Sequence, residues 1–252
     1  NWMVLERLWS SPAIRTIAVA GLLLVIVFLG FGHSLFQDFA PIDDTLLVRE
    51  NLAIRGLTLE NLHYVFTHFD PELYIPLTFV SFQINYVLGG LSPFGFHLGN
   101  VLLHAANAIL VFFLVSLLTN AKSIKHKGKS PLYFLLCAFC SPEGIVALLF
   151  AVHPLHTEAV VWIAGRKDLL FSFFYLLTLV TYLRGREGAH RSAWYWGSVL
   201  CGLCALLSKA TAMTLPVTLL LLDWYMTASA CHPEPFDFAQ DRPCRRVDIQ
   251  WR

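Results

Sequence analysis

An unbroken apolar run over residues 13–36 is the feature that most constrains what this chain can fold into. Its one charge, Arg15, lies near its start, and about 20 apolar residues are enough to cross a bilayer. The run is too long for the core of a signal peptide and lacks a clean small-residue cleavage site, so we expect a retained first transmembrane helix. The chain is 56% hydrophobic and only 14% charged, whereas soluble domains are about 25% charged, so we expect an integral membrane protein.

Further apolar runs predict an all-α, polytopic helical bundle of about six transmembrane helices. The predicted spans are residues 13–36, 96–119, 131–152, 168–184, 193–208 and 210–226. The last two are short and meet at Ser208 and Lys209, so they could form one broken helix or a re-entrant pair. From about residue 230 the chain becomes polar and rich in proline. We therefore expect a membrane domain over residues 1–229, as the N-terminal part of a longer protein, and a disordered or aberrant tail over residues 230–252.

The basic residues orient the predicted spans. They cluster before the first span, after the second and after the fourth, as Arg7, Arg15, Lys122, Lys125, Lys127, Lys129, Arg184, Arg186 and Arg191. Cytoplasmic loops carry an excess of such residues, so we expect residues 37–95 and 153–167 on the outer side. Apolar side chains at helical spacing within residues 46–69 predict a helix that lies in the membrane interface, and residues 74–88 predict a second membrane-associated segment.

Two adjacent acids, Asp43 and Asp44, follow the first span closely. A carboxylate at the boundary of water and lipid can accept a proton from a hydroxyl group or hold a cation. Adjacent side chains rarely point the same way, so we expect one acid to act and the other to orient it. The alternative for Asp44 is structural, because an acid before Thr45 would serve as a helix N-cap.

A second cluster, His153, His156 and Glu158, lies at the outer end of the third predicted span. The three side chains could line the same cavity as the acids, or the start of a new helix could use them as caps. A metal site is possible but not favoured, because this spacing is not a strong zinc signature and Pro154 disturbs the helix.

Polar residues at intervals of three, four and three follow one face of the second predicted span: His97, Asn100, His104 and Asn107. Polar groups within a membrane are costly, so this face must look into the protein or into a wet cavity. Hydrogen bonds between helices are one reading and a functional site is the other. Of the four residues, His97 is the strongest candidate for a functional residue, because it lies nearest the outer side.

Several basic residues fall on the expected outer side, against the charge rule: Arg55, Arg166, Lys167 and Lys209. Either a phosphate or a salt bridge to Asp168, Glu158 or Asp223 could stabilise them. Acids, histidines and cations around one membrane cavity would suit a polyprenyl-phosphate-linked sugar. The cations would hold the phosphate, and an acid would activate the acceptor hydroxyl. The net charge of +1 gives no reason to expect a nucleic-acid partner.

Several motifs together resemble one family. They lie at residues 43–44, 74–78, 97–104, 153–158, 165–170, 207–210 and 215–223. They resemble the transmembrane-and-tetratricopeptide-repeat proteins and their bacterial relatives, which are similar to protein O-mannosyltransferases of the GT-C class. The pattern HPxHTE followed by RKDLL is the most specific of them. The chain departs from the family at Ile75, where members often have Arg, and it lacks their further spans and their C-terminal tetratricopeptide repeats.

The resemblance implies a membrane glycosyltransferase that moves mannose or another hexose from a polyprenyl-phosphate donor to a protein or glycan hydroxyl on the outer side. The catalytic acid of such enzymes lies in the first outer loop, which corresponds to Asp43 and Asp44. We expect Asp43 to be the base and Asp44 to orient it or to cap a helix. The expected substrate-binding residues are His97, His153, His156, Glu158, Arg166 and Lys209.

Two other functions stay open at this point. One is a non-catalytic membrane anchor or scaffold of a tetratricopeptide-repeat protein, which the departure at Ile75 favours. The other is a metal-dependent membrane hydrolase, which would depend on His153, His156 and Glu158 alone. We expect a multi-pass protein of the bacterial inner membrane, or of the endoplasmic reticulum membrane if the source is eukaryotic.

Overall fold

A computed structural model describes residues 12–41, 43–69, 73–119, 139–187 and 191–230. Within these ranges the chain is helical or in connecting turns and contains no strand, which confirms the all-α prediction. The lysine-rich loop after the second predicted span lies outside the described residues, and so do residues 231–252 of the predicted tail over residues 230–252.

The α-helices are separated by turns and by short helices of other types. Their bounds are α1 Pro12–Phe31, α2 Leu59–Thr67, α3 Pro76–Gly89, α4 Pro93–Leu118, α5 Pro142–Val152, α6 His156–Val161, α7 Arg166–Glu187, α8 Arg191–Ser208 and α9 Leu215–Ala230. The 3-10 helices are Gly32–Phe36, Leu52–Ile54, Ile163–Gly165 and Ala210–Thr214, and Thr45–Arg49 forms a π-helical turn.

Two stretches among the described residues are long and apolar enough to cross a membrane. They are Thr16–Phe36, with a mean hydropathy of 2.3, and Pro93–Leu118, with a mean hydropathy of 2.4. Both coincide with predicted spans, whereas the apolar helix α5 is shorter than a bilayer requires. Helix α8 ends at Ser208, at the predicted break. The total of six crossings stays a prediction.

Helix α4 lies at the centre of the first compact unit and packs against α1, α5, α6 and α7. Small side chains let α4 and α5 approach closely, since Ala105 and Ala108 of α4 are buried, as are Ala147 and Ala151 of α5. Helix α1 presents a stripe spaced four residues apart, which is Val19, Leu23, Val27 and Phe31. The stripe follows one helical face, so α1 buries that face against this core.

The segment between α1 and α4 builds a second apolar core. Its buried side chains include Val48, Ile54, Val65, Ile75, Phe79, Phe82 and Phe96. The predicted interface helix over residues 46–69 is interrupted, because Gly56 adopts a φ of 142° that other residues rarely adopt. Only Leu59–Thr67 forms an α-helix there, and the Thr58 side chain caps it by accepting from the Asn61 N–H.

A second compact unit begins at Met213 and contains α9. Taken by itself, α9 is an apolar helix of 16 residues with large exposed side chains, among them Leu220, Leu221 and Trp224. It corresponds to the last predicted span.

Candidate active site

Asp44 joins two segments that are far apart in the sequence. Its carboxylate is 1% exposed, and Oδ1 accepts a hydrogen bond from the Ala164 N–H at 2.7 Å, 120 residues away. Oδ2 accepts from the Ala40 N–H at 2.9 Å. Asp44 makes no capping bond to the π-helical turn that follows it, so the reading as a local N-cap is wrong. The carboxylate instead fixes the loop after α1 against the 3-10 helix before α7.

Burial raises the pKa of the Asp44 carboxyl above its ordinary value of 3.8, because desolvation disfavours the charged form. The backbone N–H groups of Ala40 and Ala164 and the nearby His97 act in the opposite direction, and burial outweighs them. A carboxylate with a raised pKa is a stronger base than an ordinary one. Asp43, its neighbour, is half-buried.

Two cavities are lined in part by residues of α6 and by Trp162, which follows it. The first, which we call the acid cavity, has a volume of about 420 Å³ and is lined by Gln37, Asp38, Ala40, Pro41, Asp44, Thr157, Glu158, Val161 and Trp162. The second, the lysine cavity, has a volume of about 430 Å³ and is lined by Leu155, Glu158, Ala159, Trp162, Gly165, Lys167, Asp168 and Lys209. Glu158 and Trp162 belong to both, so the two cavities adjoin.

Lys209 and Asp168 form an ion pair within the lysine cavity. This is one of the salt bridges that the sequence left open as an alternative to a phosphate. Both side chains are partly exposed, at 32% for Lys209 and 39% for Asp168, and exposed pairs contribute only about 0–1 kcal/mol. The neighbouring Lys167 lines the same cavity. An anion that entered the cavity would therefore meet two ammonium groups, one of which is weakly held by a carboxylate.

Arg166 does not line either cavity. Its side chain is 2% exposed, and its Nε donates to Asn100 Oδ1 at 2.8 Å. The remaining nitrogens donate to Asn85 Oδ1 and to the Phe96 carbonyl, and the guanidinium lies 5.0 Å from the ring centroid of Phe82. These bonds and the ring contact make Arg166 a structural residue in this conformation. The phosphate contact expected for Arg166 stays a prediction, and in this conformation the guanidinium lines neither cavity.

The polar stripe on α4 is buried and serves mainly to hold neighbouring helices. Asn100 Nδ2 donates to the Trp162 carbonyl at 2.9 Å and to the Val160 carbonyl at 3.3 Å. The Nε2 of His104 lies 3.1 Å from the Ala151 carbonyl, and Asn107 Nδ2 donates to the Leu169 carbonyl at 3.0 Å. His97 is buried to the same extent but differs in its hydrogen bonds, because neither ring nitrogen has a partner among the described residues.

The two histidines of the second cluster lie apart from both cavities. His153 Nδ1 accepts from the Leu155 N–H at 3.2 Å and so stabilises the turn that leads into α6. His156 packs on the ring of Phe150 at a centroid distance of 4.3 Å, and burial, followed by the proximity of His153, lowers the pKa of His156. Glu158 is the member of the cluster that lines the cavities. In the part of the chain that the structure describes, no three His, Cys, Asp or Glu side chains are close enough to hold a metal ion.

The structure thus brings Asp44, Glu158 and Lys209 to adjoining cavities, with His97 close to Asp44. It places Arg166, His153 and His156 elsewhere. Sequence reasoning missed Trp162, which lines both cavities and whose backbone carbonyl is bound by Asn100. The one signal that could have found it is its position, since it is the aromatic residue between the motifs HPxHTE and RKDLL.

Comparison with known proteins identifies relatives of this chain. It is 39% identical over 228 residues to Protein O-mannosyl-transferase TMTC4 of Homo sapiens, which covers 84% of this chain and 28% of that protein. It is 38% identical over 146 residues to Protein O-mannosyl-transferase TMTC2 of Homo sapiens, with 56% and 15% covered. It is 37% identical over 145 residues to Protein O-mannosyl-transferase Tmtc1 of Drosophila melanogaster, with 55% and 14% covered.

The chain spans less than a third of the length of each of these relatives. No protein-family model matches it, and no solved structure matches it either.

Proposed function

Because this chain belongs to the family of the TMTC protein O-mannosyl-transferases, we propose that it forms the membrane part of a GT-C-type glycosyltransferase. The name O-mannosyl-transferase belongs to the whole relatives, and this chain covers only 28% of the first of them. Transferase activity of the protein that contains this chain is therefore proposed here. The proposed donor is a hexose, mannose first, linked to a polyprenyl phosphate. The proposed acceptor is a hydroxyl group of a protein or glycan on the outer side of the membrane.

The observation that carries the proposal is the pair of adjoining cavities, one lined by Asp38, Asp44 and Glu158 and one lined by Lys167 and Lys209 beside Asp168 and Glu158. A phosphate-linked sugar needs cations at the phosphate and a base at the acceptor, a short distance apart. Lys167 and Lys209 provide the cations, and Asp44 provides a buried carboxylate. Glu158 and Trp162 lie between them, where the hexose would lie.

The proposed reaction is a displacement at the anomeric carbon of the hexose. The acceptor oxygen forms a bond to that carbon as the bond to the phosphate oxygen breaks, and polyprenyl phosphate leaves. The hydroxyl proton passes to a carboxylate. The cavity lining favours Asp44 for this task, whereas the sequence favoured Asp43, and each Asp44 oxygen retains a lone pair beside its backbone bond.

The membrane arrangement also belongs to the proposal. We place residues 37–95 and 153–167 on the same outer side of a multi-pass bundle, in the endoplasmic reticulum membrane of a eukaryote or the inner membrane of a bacterium. The bond between Asp44 and Ala164 supports this, because it joins those two segments at one end of α4. Labelling of single cysteines introduced at exposed Leu57 and exposed Leu155 would test whether both sites face the same side.

A second candidate function is a non-catalytic membrane anchor. Ile75 favours it, because this side chain is 4% exposed within the second apolar core, where family members often have a cation. The structural role of Arg166 is also compatible with a non-catalytic anchor. If the protein is such an anchor, the lysine cavity binds no sugar donor.

The deciding experiment measures transfer of labelled mannose from a polyprenyl-phosphate donor by the full-length protein in membranes. We expect Asp44→Asn to abolish transfer and Lys209→Gln to raise the donor KM. The matched control is Glu60→Gln, which changes an exposed acid of α2 that lines neither cavity. If the unmodified protein transfers no hexose from any donor, the non-catalytic anchor is favoured. If the Asp44→Asn variant still transfers the sugar and the Asp43→Asn variant does not, Asp43 is the base.

A further inference from the structure

Helices α7 and α8 pack against each other as an antiparallel hairpin, and a contact at each end fixes its direction. At one end Lys209, which directly follows α8, pairs with Asp168 in the first turn of α7. At the other end the helices lie so close that a Cβ atom on Gly185 would meet the Trp194 Cβ at 3.1 Å. The last turn of α7 therefore lies against the first turn of α8, at the end of the hairpin remote from the lysine cavity.

The hairpin is about as long as the apolar part of a bilayer is thick. A helix rises about 1.5 Å per residue, so Asp168 and Arg186 are separated by about 27 Å along α7, and the hydrocarbon core of a bilayer measures about 30 Å. Between these two residues α7 carries the uncharged run over residues 169–183. With residues 153–167 on the outer side, as proposed above, the Gly185 end of the hairpin lies at the inner surface of the membrane.

This inner end of the hairpin carries basic and aromatic side chains on its surface. Three arginines and three aromatic residues are exposed there: Arg184, Arg186, Arg191, Trp194, Tyr195 and Trp196. Glu187 is the one acid in the sequence from 184 to 196, so three arginines against one acid give this stretch a net charge of +2 with His190 neutral. An anion that approached the inner end would therefore be attracted to it.

One face of α8 continues from the aromatic residues as an exposed apolar stripe. Its large side chains fall within about a third of the helix circumference and are Trp196, Val199, Leu200, Leu203 and Leu206. Such a stripe suits the acyl chains of lipids. Tryptophan and tyrosine collect at the boundary of membrane and water, because each combines an apolar ring with one polar group. The stripe thus ends in boundary residues at the level of the arginines.

We propose that the inner end of this hairpin binds the headgroup of an anionic phospholipid, with Arg184 and Arg191 at the phosphate and Trp196 beside the acyl chains. The proposal rests on the membrane arrangement proposed above and not on sugar transfer. A guanidinium can bind a phosphate through two N–H groups at once. A zwitterionic lipid carries a phosphate as well, but its own cation is repelled by the net positive charge of this end, so the anionic lipid is the better ligand.

A headgroup bound there has a consequence for the other end of the hairpin. Because α7 is a continuous helix from Arg166 to Glu187, a lipid that holds its inner end fixes the depth of the helix in the bilayer. The depth of Asp168 and Lys209 in the lysine cavity is fixed with it. The inner leaflet would therefore help to keep this cavity at the outer surface.

The test uses the full-length protein in vesicles of phosphatidylcholine and phosphatidylglycerol at a fixed ratio, with bromine on the acyl chains of one lipid or the other. Bromine quenches tryptophan fluorescence at short range, and the contribution of the hairpin is the part that a variant with Trp194→Phe and Trp196→Phe loses. We expect stronger quenching of this part when phosphatidylglycerol carries the bromine. Arg184→Gln and Arg191→Gln should each lower that preference about fivefold, as for the loss of one basic residue near an anionic surface.

The matched control is Arg49→Gln, which changes an exposed arginine of the outer segment and should leave the preference unchanged. Equal quenching by the two brominated lipids would overturn the anionic site. No quenching of these tryptophans by either lipid would overturn it too, because protein would then cover the surface. An inactive protein that keeps the preference would refute the proposed function alone, whereas an active protein without it would refute this inference alone.

Discussion

Substitution of Gly99 by alanine tests the packing that holds the candidate site together. Gly99 lies on α4, where a Cβ atom would meet Arg166 Nη2 at 2.5 Å, Arg166 Cζ at 3.1 Å and Asn85 Oδ1 at 3.2 Å. The first contact is shorter than any normal packing distance. The guanidinium cannot give way cheaply, because Asn100 and Asn85 bind it and Phe82 lies against it. Gly99→Ala therefore forces Arg166 out of its site.

The expected cost follows from three contributions. Overpacking costs about 1–3 kcal/mol, and the loss of one hydrogen bond from a charged group costs about 1.5–3 kcal/mol. Alanine is a better helix former than glycine, which stabilises the folded variant by about 1 kcal/mol. We therefore expect Gly99→Ala to lower the free energy of unfolding by about 1.5–5 kcal/mol.

The assay is reversible unfolding of the full chain in mixed micelles, followed by far-UV circular dichroism. The matched control is Gly21→Ala on α1, because no atom lies within 4 Å of a Cβ at that position. The same substitution should there be neutral or stabilising by up to about 1 kcal/mol. Equal stabilities for the two variants would refute the close contact between Gly99 and Arg166.

Three further predictions concern single side chains. Because burial raises the Asp44 pKa above 3.8, folding favours the neutral acid, so its stabilising contribution is complete below that value and is lost as the pH rises through the folded pKa. The melting temperature of the unmodified protein relative to Asp44→Asn should therefore rise between pH 7 and pH 4, and a fall would contradict the assignment. Asn107→Leu leaves the Leu169 carbonyl without its donor and should cost about 1–3 kcal/mol in the same unfolding assay. Thr58→Ala removes the cap of α2 and should cost about 1 kcal/mol, seen as faster amide exchange in the first turn of α2, while exchange in α4 stays unchanged.

Local periodicity predicted much of the fold. The apolar runs predicted α1 and α4, because a long apolar stretch has few alternatives to a helix in a membrane. The interval of three, four and three residues placed His97, Asn100, His104 and Asn107 on one buried face. The same pattern could not reveal which of them bind neighbours, because their partners lie 47–62 residues away in the sequence.

The candidate site shows the same limit. Asp44 was predicted to orient the base Asp43 or to cap a helix, both of which are local roles, whereas its bond to Ala164 spans 120 residues. Arg166 was expected to bind phosphate because it lies on the expected outer side. The structure instead surrounds it with Asn85, Asn100 and the Phe96 carbonyl, which come from α3 and α4. No property of the RKD motif indicates that its arginine turns inward while Lys167 and Asp168 line a cavity.

The burial of Arg166 also bears on the order in which the protein is made. A guanidinium in an apolar environment is costly until acceptors surround it, and here the acceptors come from residues 81–100. A ribosome completes those residues before it reaches α7, so a prepared binding site can receive Arg166 as soon as it is synthesised. In a chain with α7 placed ahead of α3 and α4, the Arg166 guanidinium would have no acceptors until those helices were made. Biogenesis therefore favours the present order of helices, even though the folded bundle would contain the same contacts in either order.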